Sequence, residues 1–138
     1  MGERASTDWT TAAGRFGEYP AELRLRRGAF EHELGKPEYS TAVVVQVMLN
    51  DPNDDGLPTF AENNELADME DALGTIVDGR GLLVSVITGL GLRQFTWYAA
   101  TDWTTDLLAG IDGTISSHGV RVLARADPQW RVARQLLD

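Results

Sequence analysis

The sequence predicts an α+β fold, in which helices pack against an antiparallel sheet, and three observations favour this class. Residues 41–49 are apolar and rich in β-branched side chains, as in a buried strand. Residues 59–77 instead repeat their apolar side chains at helical spacing. Two further strand patterns are separated only by the glycine-rich turn Gly89–Gly91, which predicts an antiparallel hairpin.

The amino-terminal third predicts a short strand, a loop and a central strand. In residues 21–27, Leu23 and Leu25 alternate with charged side chains, which is the period of a half-buried strand. Residues 31–39 contain a glycine and a proline and therefore predict a loop. The run Thr41–Leu49 is too apolar for an exposed edge, so it predicts a central strand that needs cover on both faces.

The next predicted element is a helix with a well-marked start. Thr59, followed three residues later by Glu62, forms a capping box. Leu66, Met69 and Leu73 then recur at helical spacing, and acidic residues fill the remaining arc. The sequence Asp-Gly-Arg-Gly that follows is typical of a helix end.

The carboxy-terminal half predicts three strands and two helices. The strand patterns are 82–88, 92–99 and 120–126, and helical spacing is found in 102–117. In the second strand, Phe95 and Trp97 point to one face, which we expect to be the core under the helices. Asp127 and Pro128 open a short terminal helix, whose inward side is predicted to be Trp130, Ala133 and Leu137.

Between residues 41 and 126 the elements therefore follow the order β-α-β-β-α-β. This order is typical of the ferredoxin-like fold, with two helices on one face of a four-stranded antiparallel sheet. We expect an additional amino-terminal strand or hairpin and a short carboxy-terminal helix around that core. Residues 1–138 are interpreted as a single domain, in which residues 1–20 form a poorly defined extension.

The composition narrows the class of partner and compartment. Twenty-one acidic against twelve basic residues give a net charge of −9, which disfavours binding to nucleic acid or to an anionic membrane surface. The sequence has no cysteine, so it has no disulfide or thiolate metal site, and this suits the reducing cytoplasm. No apolar run approaches the roughly 18–20 residues that span a bilayer.

The acidic stretch DPNDDGLPTFAE, residues 51–62, has the residue spacing of an EF-hand calcium loop. Carboxylate, amide, hydroxyl and carbonyl oxygens occupy the ligand positions, and Gly56 occupies the position of the sharp turn. The residues that would bind Ca²⁺ are Asp51, Asn53, Asp55, Leu57, Thr59 and Glu62. Calcium is the one cofactor that the sequence suggests.

A second interpretation explains the same residues without a metal. An EF-hand loop is entered from a helix, whereas a strand leads into this one. Asp51-Pro52 and Asp55-Gly56 are turn formers, and Thr59 with Glu62 is the capping box that the helix requires. Both interpretations, a turn with a helix cap and a weak cation site, are open at the level of sequence.

The remaining candidates are surfaces for partners. Glu65, Asp68 and Asp71 on the predicted helix form either a docking face for a basic protein or a solvated helix face. The sheet face or edge is a candidate for homodimerisation. The two histidines, His32 and His118, are assigned surface or turn roles, and we identify no coherent catalytic constellation.

Several runs together resemble a known bacterial family. These are VVVQVMLNDPNDDGLPT, the helical MEDAL, the aromatic strand RQFTWYAATD and the closing DPQWRVARQLL. They resemble the family catalogued as domain of unknown function 695 over most of the chain, from about Arg24 to Leu137. The resemblance implies a fold and no activity. The chain is also distantly similar to the regulator of ribonuclease activity B, a small acidic protein that binds and inhibits an RNA-degrading enzyme, and no contact residue carries over.

The sequence thus predicts a non-catalytic protein-interaction or regulatory domain. The alternative is a calcium or small-ligand binding module that uses the loop at 51–62.

Overall fold

The computed structural model describes residues 9–77, 81–100, 109–111 and 115–135. The strands in these ranges are β1 (Trp9–Phe16), β2 (Tyr19–Arg26), β3 (Thr41–Met48), β4 (Gly81–Gly89), β5 (Leu92–Ala99) and β6 (Val120–Ala126). The helices are α1 (Arg27–His32), α2 (Phe60–Val77) and α3 (Arg131–Arg134), with a 3-10 turn at Pro37–Tyr39.

The strands form one antiparallel sheet in the order β1-β2-β4-β5-β3-β6. This confirms the α+β class. The sheet differs from the predicted four-stranded one because β2 and β1 extend it beyond β4. The helix predicted at 102–117 lies mainly outside the described residues. Of its described residues, 109–111 are helical and 115–117 are not, so the predicted carboxy-terminal end of this helix is wrong.

Strand β3 lies between β5 and β6 in the sheet and is buried on both faces. Val43, Val45 and Val47 are fully buried on one face, and Ala42 is fully buried on the other. The first face packs against α2, and its cluster also contains the two aromatic residues predicted to be core, Phe95 and Trp97. The α2 side chains in this cluster are Leu66, Met69, Leu73 and Val77.

The opposite face packs against α1 and α3 around a stack of aromatic rings. Tyr98 and Trp130 are both fully buried, and their rings stack with centroids 4.5 Å apart. Phe30 of α1 meets the Trp130 ring edge-on at 5.5 Å. The indole N–H of Trp130 donates a hydrogen bond of 2.8 Å to the carbonyl of Tyr39. One tryptophan therefore joins both helices and the 3-10 turn to the sheet.

Trp130 adopts an unusual backbone conformation for this purpose. Its φ of +57° is left-handed, which costs a residue with a Cβ about 1–2 kcal/mol. Asp127 holds the turn, because its carboxylate accepts hydrogen bonds from the backbone N–H groups of Arg131 at 2.8 Å and Val132 at 3.0 Å. The same carboxylate accepts the Tyr98 hydroxyl at 2.8 Å. Burial of the aromatic ring and these bonds together offset the backbone cost.

Three predictions about local structure need correction. The predicted extension at 1–20 contains β1, which pairs with β2 from Trp9 to Phe16. The predicted loop at 31–39 contains the end of α1 and the 3-10 turn, since packing on Trp130 stabilises both. The predicted start of the terminal helix at Asp127 and Pro128 is wrong, because these residues form a turn, α3 begins at Arg131 and its N-cap is Trp130. The Asp127 carboxylate nevertheless accepts the first N–H groups of that helix. Leu137 lies outside the described residues.

Within the described parts of the chain, no helix combines the length and the apolar character that crossing a membrane requires.

Tyr98 makes stability sensitive to alkaline pH. Burial, together with the hydrogen bond to Asp127, raises the pKa of Tyr98 above its ordinary value, so the folded state holds the neutral phenol. In the unfolded chain the Tyr98 hydroxyl ionises near pH 10. We therefore expect this residue to lower the free energy of unfolding by about 1.4 kcal/mol for each pH unit above pH 10. Urea unfolding between pH 8 and 11 measures this slope.

The Tyr98→Phe variant should lose that component of the slope, whereas Tyr19→Phe, at a half-exposed site, should retain it. An equal slope in wild type and Tyr98→Phe would contradict the assignment.

Candidate functional site

The acidic corner at 51–62 is a tight turn closed by its own side chains. Asn53 Oδ1 accepts hydrogen bonds from the backbone N–H groups of Asp55 at 2.9 Å and Leu57 at 3.0 Å. The backbone N–H of Asn53 donates to the Leu57 carbonyl at 2.8 Å. Thr59 Oγ1 accepts the N–H of Glu62 at 3.2 Å, so the first half of the predicted capping box is present at the start of α2. The second half is absent, because the Glu62 carboxylate accepts the N–H groups of Asn50 and Asp51 and not that of Thr59. These bonds occupy atoms that a calcium loop would use as ligands.

The corner requires a glycine at position 56 because this residue lies against the turn between β4 and β5. Its φ is +83°, and a Cβ there would lie 3.0 Å from the backbone nitrogens of Leu90 and Gly91. Gly91 donates its N–H to the Gly56 carbonyl at 2.9 Å. The glycine that fits an EF-hand pattern therefore has a separate cause, the close approach of the turn between β4 and β5.

Glu62 turns inward and connects three segments. Only 3% of the residue is exposed. Its carboxylate accepts the backbone N–H groups of Asn50 and, at 3.0 Å, Asp51, and lies 2.9 Å from Nε2 of His118. Burial acts to raise the pKa of Glu62, but the hydrogen bonds from these three groups outweigh it and lower the pKa. The segment just after β3, the first turn of α2 and the segment before β6 thus meet at one carboxylate.

His118 is buried, whereas the sequence predicted a surface or turn role for it. Its side chain is fully buried, and Nδ1 lies 2.9 Å from Oγ of Ser117. A hydroxyl, an imidazole and a carboxylate in line also form hydrolytic triads. Here the carboxylate is fixed by two backbone N–H groups at a junction of three segments, and we assign this chain of contacts to tertiary structure. The separation of 56 residues between Glu62 and His118 left no local signal.

The six residues of the calcium prediction lie at one corner, but Glu62 faces the protein interior. Among the described residues, no three His, Cys, Asp or Glu side chains gather in a way that could hold a metal ion. The calcium site stays a prediction from the sequence.

A groove runs along α2, between this helix and β2. It consists of two clefts of about 590 and 360 Å³, which share Glu70 and Asp71 in their walls. The guanidinium of Arg24 forms an ion pair with Glu70 across the groove. Arg24 and Arg26 also lie over the ring of Trp9, at 5.6 and 4.8 Å from its centroid. The groove therefore brings charges of both signs together beside aromatic surface.

Arg93 lies in the wall of the smaller cleft and is only 7% exposed. Its Nε donates to Thr88 Oγ1 at 2.8 Å, and its Nη2 donates to Asn63 Oδ1 at 2.7 Å. Burial and, to a lesser degree, the nearby Arg24 charge lower the pKa of Arg93, and the Glu70 and Glu22 carboxylates oppose this shift without reversing it. The cation is thus held in place by two neutral oxygens.

The predicted partner face is on the outer side of α2. Glu65, Asp68 and Asp71 are all exposed, and within the described ranges none of them has a cation within 4.0 Å. A third cleft, of about 290 Å³, is lined by Glu65 and Asp68 and by the apolar residues Met69, Ala72 and Ile115. An acidic stripe therefore borders a small apolar depression.

Among the strands in the described ranges, the outermost are β1 and β6. Arg121 and Arg125 on β6 are exposed, and Leu123 between them is 54% exposed. Homodimerisation through this edge or through the sheet face stays a prediction.

Calcium binding is tested by thermal unfolding. A ligand that binds the native state raises the melting temperature with its concentration. Because the Glu62 carboxylate is buried in three contacts, we expect no rise at about millimolar calcium. A rise that disappears in the Asp51→Asn, Asp55→Asn double variant would instead establish the site.

Replacing Glu62 by Gln should destabilise the protein at pH 7 by about 2–3 kcal/mol, since bonds to a charged acceptor are lost. The lowered pKa means that this stabilisation is present above the unfolded value near 4.5 and is lost as pH falls through the folded value. The difference between wild type and variant in urea unfolding should therefore shrink below pH 4.5.

The control is Glu65→Gln, three residues further along the same helix but exposed, which should change stability by less than about 0.5 kcal/mol. Equal effects of the two variants would refute the role of Glu62.

Comparison with known proteins adds one finding. The family of unknown function DUF695 matches the chain over residues 7–137. No curated protein and no solved structure matches it. The distant similarity to the regulator of ribonuclease activity B accordingly stays a prediction. Since the match covers nearly all of the sequence, the chain belongs to the DUF695 family, whose function is unknown.

Proposed function

We propose that this protein is a non-catalytic interaction domain, in which the outer face of α2 binds a basic segment of a partner protein. The observation that carries the proposal is the row of exposed carboxylates on Glu65, Asp68 and Asp71. Successive members are three residues apart, so they follow one side of the helix.

The helix presents these charges on a rigid support. Its inner side is anchored in the core by Leu66 and Leu73, both fully buried. The backbone of such an element is already ordered before binding, which lowers the cost of association. The net charge of −9 further favours encounter with a basic partner and disfavours acidic ones.

The neighbouring cleft supports a more specific partner. Met69, Ala72 and Ile115 offer apolar surface next to the carboxylates of Glu65 and Asp68. A segment with lysine or arginine on both sides of one aliphatic residue matches this arrangement, because the cations meet the rim and the aliphatic side chain enters the depression.

The finer fold assignment and the location belong to the same proposal. The order β3, α2, β4, β5 supports a ferredoxin-like unit to which β2 and β1 add strands. The second helix of such a unit would fall mostly outside the described residues. The absence of cysteine supports a cytoplasmic location.

Fluorescence anisotropy with a labelled peptide tests the partner chemistry. The peptide carries lysines and arginines around a central leucine, and a second peptide has glycine at that position. We expect the Glu65→Lys, Asp68→Lys, Asp71→Lys variant to bind the leucine peptide at least about tenfold more weakly, since three attractions become repulsions. We expect the glycine peptide to bind wild type more weakly than the leucine peptide.

The matched control is Glu18→Lys, Glu31→Lys, Glu38→Lys, which makes the same charge change at exposed sites away from α2. Equal loss in both triple variants would mean that only net charge matters and would reject the α2 face. Partner capture from the native host with the same two variants would identify the physiological ligand.

A further inference from the structure

Arg93 is a buried cation whose two hydrogen-bond acceptors, Thr88 and Asn63, are both neutral. Within the described part of the chain, no carboxylate oxygen lies within 4.0 Å of it. A buried charge is normally paired, because the loss of hydration is otherwise costly. The protein has 21 acidic residues, so the neutral acceptors of this buried cation are unexpected.

The guanidinium opens onto the smaller cleft of the groove, which we call the Arg93 cleft. Its volume of about 360 Å³ is at the lower end of the usual range for ligand pockets, roughly 300–1,000 Å³. Besides Arg93, it is lined by Glu22, Arg24, Asn63, Ala67, Glu70 and Asp71. The cleft thus has room for a small molecule.

The sheet register places opposite charges on two sides of this cleft. Glu22 pairs with Thr88, and Thr88 pairs with Arg93, so the three residues form one row on the same face of the sheet. Glu22 and Arg93 are separated by two strand spacings, about 10 Å between their Cα atoms. Their charged groups can therefore face each other across a small ligand.

The charges select the class of ligand. Arg24 already has a carboxylate partner in Glu70, which leaves Arg93 as the cation for an incoming anion. The lining contains three carboxylates and two guanidiniums, so a dianion such as phosphate would meet net repulsion. A simple cation would be repelled by Arg93. A molecule with one group of each sign satisfies both sides.

We propose that the Arg93 cleft binds a free α-amino acid, with its carboxylate at Arg93 and its ammonium group at Glu22. The guanidinium has N–H donors beyond the two that reach Thr88 and Asn63, and a carboxylate is the acceptor that best matches them. The proposal is independent of partner binding by α2. Asp71 belongs to both surfaces, so the tests use Glu22 and Arg93.

Thermal shift and calorimetry with individual L-amino acids, at about 10 mM and low salt, test the proposal. We expect at least one of them to raise the melting temperature. Its N-acetyl derivative, which lacks the ammonium group, and its amide, which lacks the carboxylate, should each bind at least about tenfold more weakly. The absence of binding by every L-amino acid, or equal binding by either derivative, would overturn the proposal. So would binding of inorganic phosphate in their place.

Glu22→Gln, at an exposed position, and Arg93→Gln should each weaken amino acid binding at least about tenfold. The control is Arg121→Gln on the exposed face of β6, which removes one positive charge and should bind as wild type does. If Arg93→Gln does not fold, Glu22→Gln decides the question. Unchanged affinity in Glu22→Gln would reject the site.

Discussion

The burial of β3 on both faces is the constraint on which the rest of the structure depends. Its valines at 43, 45 and 47 fill one side, Ala42 fills the other, and both edges of the strand are paired, with β5 and β6. Each buried valine contributes roughly 1.5–3 kcal/mol only while another element covers it. Helix α2 therefore has to lie on the first face, and α1 with α3 on the second. The position of α2, with its acidic face and the adjoining groove, follows from that requirement.

The Glu62 carboxylate fixes where α2 starts. It accepts two backbone N–H groups from the segment just after β3, so the corner cannot shift without losing bonds to a buried charge. His118 brings the segment before β6 to the same point. A residue that resembles a calcium ligand in the sequence serves here as the anchor of a strand-to-helix connection. Asn63 is the next residue of the helix, and the position of Glu62 therefore also places the Asn63 side chain where it accepts a hydrogen bond from Arg93.

Local patterns predicted much of the fold, and contacts distant in sequence account for the remainder. The apolar run of β3, the helical spacing of α2 and the cap at Thr59 are readable because neighbouring residues determine them. The sequence of β1 has no clear alternation, since its residues from Thr10 onward are exposed and its structure depends on pairing with β2. The burial of His118 and the clustering around Arg93 depend on partners more than 25 residues away. No spacing rule anticipates either arrangement.

The outer strand β6 has a consequence for the behaviour of the protein at high concentration. Among the described strands, β6 pairs with β3 alone, and a strand edge without a partner is a template for joining a second chain. The exposed Leu123 adds to that tendency. Arg121 and Arg125 flank this leucine on the same side of the strand. Two identical copies that paired edge to edge around Leu123 would bring these cations together, and charges at a strand edge generally oppose such pairing. The arginines thus oppose the self-association that the exposed leucine favours.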